Sequence, residues 1–83
     1  MDVLKEVTRV LDDVLSLGGR SAGFTRETAL LGAIPELDSM AVVSLITTLE
    51  ERFGFVADDD EVGADTFASV GSLADFVAGK LAA

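Results

Sequence analysis

The chain has 83 residues and a formal net charge of −9, is 49% hydrophobic, and contains neither Cys nor His. That length predicts one domain with a modest core, and that apolar content is too high for a disordered chain. The missing residue types exclude disulfides, thiolate metal sites and the common zinc ligand sets. The charge is lopsided: residues 1–35 hold five acids and four bases, whereas residues 36–83 hold ten acids and two bases. Such a field repels nucleic acid; it either steers encounter with basic surfaces or serves solubility alone.

The first element is a helix predicted over Asp2–Leu17. Val3, Val7, Val10, Val14 and Leu17 recur at three- and four-residue spacing, and Leu4, Leu11 and Leu15 widen the stripe. Asp2 suits an N-cap or a first-turn acid, and Gly18-Gly19 offers a stop. Glu6, Asp12 and Asp13 on the polar side argue for core packing rather than a membrane surface. Charges at Asp2, Lys5 and Glu6 interrupt any signal-peptide core, and no uncharged apolar run reaches membrane-spanning length. A cytoplasmic, monomeric protein with no membrane insertion is the expectation.

A connection of about twenty residues follows, from 18 to 38, longer than compact domains usually allow without anchoring. Phe24, Leu30, Leu31, Ile34 and Leu37 are its expected anchors, with one helical turn at Thr25–Thr28. It has no Gly-Lys-Ser/Thr ending and so makes no P-loop. Pro35 closes this segment, because proline biases the residue before it away from helix.

A second helix is expected from Ser39 to Phe53. Asp38 and Ser39 are both good N-cap residues, and no Gly or Pro interrupts the run until Gly54. Val42, Leu45, Ile46, Leu49 and Phe53 form a core-facing stripe. Met40, Val43, Ser44, Thr47 and Glu51 lie opposite. Met40 and Val43 are apolar yet outside the buried stripe, which makes them scattered surface hydrophobes or a contact patch for a partner.

After a connector at 54–57 comes the acidic run Asp58–Glu61. It places Val62 and Ser69 where an EF-hand needs oxygen ligands, so no calcium sensor site is expected. Ala64–Ala68 is predicted as a short helix anchored by Phe67. A last helix spans Val70–Leu81, with Ser69 as its cap, or Ser72 as an alternative start. Its apolar face is Leu73, Phe76, Val77 and Leu81, and Gly71 and Gly79 weaken it. The fold class is therefore all-α: a small bundle of three main helices plus one short helix, over residues 1–83.

Leu37-Asp38-Ser39-Met40 at the mouth of an amphipathic helix, followed by Leu49-Glu50-Glu51-Arg52-Phe53-Gly54, resembles the acyl carrier proteins. Their motif is Asp-Ser-Leu, and Met40 stands here for the leucine. The resemblance implies a 4′-phosphopantetheine arm on Ser39, attached from coenzyme A by a phosphopantetheinyl transferase with Mg²⁺ and Asp38 assisting. It implies a thiol that holds acyl groups as thioesters for an acyl-loading ligase or synthase and for acyltransferases. It implies a carrier, not an enzyme. A helix N-terminus suits such a phosphate, since free N–H groups and the helix dipole favour an anion. From the helix signal alone, Ser39 is simply an N-cap. As a nucleophile it would need a base, and the chain has no His.

One departure from the family pattern concerns charge. Fatty-acid carriers place acids along this helix, but Met40–Thr47 has none, and acidity returns at Glu50 and Glu51. The expected partner surface is thus Met40, Val43, Thr47, Glu50 and Glu51, with the apolar pair leading. The segments Glu-Leu-Asp-Ser-Met-Ala and Gly-Ser-Leu-Ala-Asp-Phe-Val resemble stand-alone carriers of bacterial exosortase-linked gene clusters. Aminoacyl or peptidyl carriers share the serine, and an unmodified acidic interaction domain is the remaining alternative.

Overall fold

The computed structural model describes residues 2–82 and comprises three α-helices. α1 spans Val3–Leu15, α2 Ser39–Phe53 and α3 Val70–Ala82. α1 packs against both α2 and α3. Arg52, near the end of α2, reaches Glu6, near the start of α1, at 3.5 Å, so these two helices run in opposite senses. The core is one aliphatic cluster closed by a single ring: Val7, Val10, Leu11, Leu45, Leu49, Phe67, Val70, Leu73 and Val77, with Leu30 and Leu37 contributed by the long connection. At one end Phe55 bridges Phe53 and Phe76, with ring centroids 6.5 and 6.2 Å apart.

α1 is capped as expected, since the Asp2 carboxylate accepts the Lys5 N–H. It ends earlier than its periodicity suggests. Ser16 turns into the left-handed region at φ 54°, and the Leu17 N–H closes back onto the Asp12 carbonyl at 3.0 Å. The reversal at Ser16, ahead of the glycine pair, swings Leu17 into the core, where it is 4% exposed.

The connection from 16 to 38 is ordered by its backbone as much as by its side chains. A 3₁₀ turn forms at Arg20–Gly23. The Asp12 carboxylate accepts the Gly19 and Ser21 N–H groups and the Ser21 hydroxyl, a set of bonds that holds its pKa below the ordinary value. Further on, Leu30 and Leu31 donate to the carbonyls of Ala68 and Phe67, while Val70 and Gly71 donate to those of Thr28 and Arg26. Ala29 and Ser69 thereby form an isolated bridge. Thr25–Thr28 is the expected single turn, closed by the Thr28 N–H on Thr25. Of the expected anchors, Leu30 and Leu37 are buried and Phe24 and Ile34 half-buried; Leu31 is 46% exposed and is not one.

Gly71 does not merely weaken α3. A Cβ there would sit 2.9 Å from the Arg26 carbonyl oxygen, so only glycine lets the connection lie this close. The Arg26–Asp75 ion pair at 2.7 Å fastens the same contact from outside.

The predicted short helix at Ala64–Ala68 is not formed. That stretch is a succession of i→i+3 turns closed on the Gly63, Ala64 and Asp65 carbonyls, with no α-helical i→i+4 bond among the described ones. Its Phe67 and Ala68 carbonyls are taken by Leu31 and Leu30, which ties the end of the segment to the long connection. A second 3₁₀ turn lies at Asp59–Glu61. Among the described residues no helix is long and apolar enough to cross a membrane.

Candidate functional site

The chain enters α2 through Asp38, the N-cap residue, in extended conformation at φ −107° and ψ −175°. Its Oδ1 accepts the Ala41 N–H at 2.8 Å. Ser39 is therefore the first helical residue, not the cap, and the reading of Ser39 as an N-cap falls. Its hydroxyl enters no hydrogen bond among the described residues, and the residue is exposed. The N–H groups of Ser39 and Met40 likewise have no partner there. An acceptor carried on the Ser39 oxygen would meet two free donors and the positive end of a fifteen-residue helix.

Beside Ser39 lies an open hollow of about 410 Å³. Leu31, Leu37, Val42, Val62, Ala64 and Phe67 line it, and Asp38 and Ser39 stand at its edge. Sequence reasoning assigned Leu31, Leu37 and Phe67 to anchoring only and gave Val62 and Ala64 no role at the site. No local signal reveals them, because 31 and 62–67 reach residue 39 only through the backbone bonds that tie the two connections together. A hollow of about 490 Å³ on α1, between Asp2, Lys5, Arg9 and Phe24, contains no residue of α2.

The other predicted site residues divide in two. Met40 and Val43 are 80% and 65% exposed, and Thr47 and Glu51 are also exposed on α2. Glu50 differs: it is half-buried, and its Oε2 accepts the Ala57 N–H at 2.8 Å, fastening the segment after Gly54. Gly54 itself adopts φ 73°, the left-handed value that ends α2. Among the described residues no group of His, Cys, Asp or Glu is arranged to hold a metal ion. Glu61 is instead paired with Lys80, the largest of the interactions that hold its carboxyl below the ordinary range.

An exposed, unbonded serine at a helix mouth beside an apolar hollow is a place for a covalent anionic tether. Residues 36–77 match the family model described as a phosphopantetheine attachment site. The solution structure of the holo acyl carrier protein of Nitrosomonas europaea is 55% identical, each chain covered in full, with a TM-score of 0.93. That of the Geobacter metallireducens holo acyl carrier protein is 32% identical, covering 99% of this chain and 88% of the other, with a TM-score of 0.77. A comparison with curated proteins gives no match. The chain belongs to the acyl carrier protein family. It is a carrier with covalent phosphopantetheine, not an enzyme, and it serves synthase and transferase enzymes.

Proposed function

We propose that residues 1–83 form a single carrier domain and that Ser39 is its point of attachment. The observation that carries this is the Ser39 hydroxyl, exposed and unbonded, next to two unpartnered N–H groups. The bound group supplies a thiol that holds acyl chains as thioesters. The chain's own residues supply a fixed anchor and donors for the phosphate. Asp38 holds the first turn of α2 through Ala41, which keeps the serine at the rim. The aliphatic lining of the neighbouring hollow supports acyl over aminoacyl cargo, of fatty-acid or polyketide type. A cytoplasmic monomer is the form in which it works.

The test is intact mass after incubation with coenzyme A, Mg²⁺ and a broad-specificity phosphopantetheinyl transferase. The wild type gains one phosphopantetheine and Ser39→Ala gains none; loading of the alanine variant would overturn the assignment.

Partners meet the exposed side of α2, through Met40 and Val43 first, with Thr47, Glu50 and Glu51 beyond. The exposure of two large apolar side chains beside the serine supports that order. Met40→Asp and Val43→Asp then slow loading by a cognate ligase or transfer to a cognate acyltransferase more than Glu51→Lys does. The reverse ranking would show that charge leads.

A further inference from the structure

The hollow on α1 is wider than the one beside Ser39, about 490 against 410 Å³, and attachment uses none of it. It lies between the first turns of α1 and the 3₁₀ turn of the long connection. Arg52, which meets Glu6 at this end of the bundle, follows Ser39 by thirteen residues, about 20 Å along α2. The walls of the hollow are Leu4, Ala22 and Phe24, and its charged residues are Lys5, Arg9 and Asp2. Two cations against one acid leave one positive charge over, on a chain whose net charge is −9. Lys5 belongs to none of the described ion pairs, and Glu6 is divided between Arg9 and Arg52, at 3.1 and 3.5 Å. The other polar groups are spent: Asp2 accepts the Lys5 N–H, the Thr8 hydroxyl donates to the Lys5 carbonyl, and the Ser21 hydroxyl donates to Asp12. The donors left to a ligand are the Lys5 ammonium and the remaining N–H groups of Arg9.

We propose that this hollow binds a free aliphatic carboxylate, the acid that an acyl cargo becomes when its thioester is hydrolysed. In that hydrolysis water adds its oxygen to the carbonyl carbon, the C–S bond breaks, the sulfur takes a proton, and the acid ionises at neutral pH. The chain binds this product and does not form it. Its volume is that of a small-molecule site, about 300–1,000 Å³. Lys5 and Arg9 are four residues apart and so stand on one face of α1, where both converge on one anionic head with charge-assisted bonds. A single excess positive charge matches a monoanion better than a doubly charged phosphate. Leu4, Ala22 and Phe24 give the alkyl body an apolar bed. A second copy of the chain is a poor occupant, because it brings nine further negative charges to a chain that already repels itself. The choice of an aliphatic acid rests on the acyl-cargo reading, but its binding needs neither the arm nor α2.

The test is an amide NMR titration of the whole, unloaded chain with octanoate, set against acetate, which lacks the alkyl body, and 1-octanol, which lacks the charge. Octanoate should give saturable shifts confined to residues 4–9 and 19–24, and neither control should match it. Lys5→Gln and Arg9→Gln should each weaken that binding about threefold. Lys5 makes no described side-chain bond, so its variant keeps the native spectrum elsewhere and serves as the folding control. Absence of a saturable shift, an equal response to 1-octanol, or indifference to both substitutions overturns the proposal. So do shifts at Leu31, Val62 and Phe67 alone, which place the acid in the hollow beside Ser39. A glutamate-rich peptide that moves residues 4–9 where octanoate does not makes the occupant a protein segment and also overturns it. A negative titration leaves attachment at Ser39 untouched, and a failure of attachment leaves the titration readable.

Discussion

Two helix starts in this molecule carry serines, and only one is available for chemistry. At α3, Ser69 and Ser72 satisfy each other: the Ser72 N–H donates to the Ser69 hydroxyl oxygen at 3.1 Å, and the Ser69 N–H to that of Ser72 at 3.0 Å. The next donors, Val70 and Gly71, are taken by Thr28 and Arg26. Ser72 also donates to the Thr66 carbonyl, and both serines are half-buried. At α2 the cap is Asp38, the one described bond of its side chain goes to Ala41, and the donors of Ser39 and Met40 are left over. The same residue type at nearly the same helical position is bonded into the fold in one place and exposed and unbonded in the other. The difference lies in whether the long connection covers the end of the helix.

The largest expected contrast follows directly. Ser39→Ala abolishes phosphopantetheine loading, whereas Ser69→Ala leaves loading intact and lowers stability by about 1 kcal/mol. Intact mass reads the first effect and thermal unfolding the second. The two glycines of α3 should part in sign. Gly71→Ala drives a methyl into the Arg26 carbonyl, a clash that costs about 1–3 kcal/mol and outweighs the gain in helix propensity. Gly79→Ala meets nothing within 4 Å and should stabilise by about 0.5–1 kcal/mol. For a domain of this size that separates the melting temperatures by several degrees or more, about 4–8 °C per kcal/mol.

Asp38→Ala should cost about 1 kcal/mol by freeing the Ala41 N–H, and Asp38→Asn much less. If Asp38→Ala proves silent, the cap does not hold the serine in place. The smallest effect concerns acid. Asp12, Glu36 and Glu61 all have carboxyls held below their ordinary values. For Asp12 the Ser21 hydroxyl bond is the largest cause. Glu36 is lowered by its own backbone N–H and then by Arg20, and Glu61 by Lys80. A lowered acid stabilises the fold above its unfolded pKa, and that contribution disappears as pH falls through the native value. Melting temperature should therefore drop below about pH 4. Asp12→Asn should flatten that drop, because it removes the acid that ties the start of the long connection to α1.

Much of this was legible in the chain. Periodicity placed all three helices within two residues at each end, and the resemblance carried by Asp38-Ser39-Met40 identified the family. The misses all concern backbone groups. The turns in place of a helix at Ala64–Ala68 and the need for Gly71 arise where peptide groups meet across about forty residues, whereas the early end of α1 at Ser16 is a local reversal closed by the Leu17 N–H on the Asp12 carbonyl. Side-chain patterns report which face of an element is apolar and say nothing about where its peptide groups find partners. Leu31 was misjudged for the same reason. Its N–H is pinned to Phe67 while its side chain stays at the rim of the hollow beside Ser39.

The two unsatisfied donors at the start of α2 have a thermal consequence. A phosphodiester on the neighbouring oxygen gives them an acceptor that the bare chain lacks, and a favourable charge at that helix end contributes about 0.3–1 kcal/mol. The charged carrier should melt a few degrees above its uncharged form and exchange the amide hydrogens of residues 39 and 40 more slowly. A mixed sample then reports its own degree of priming by calorimetry, without any thiol reagent.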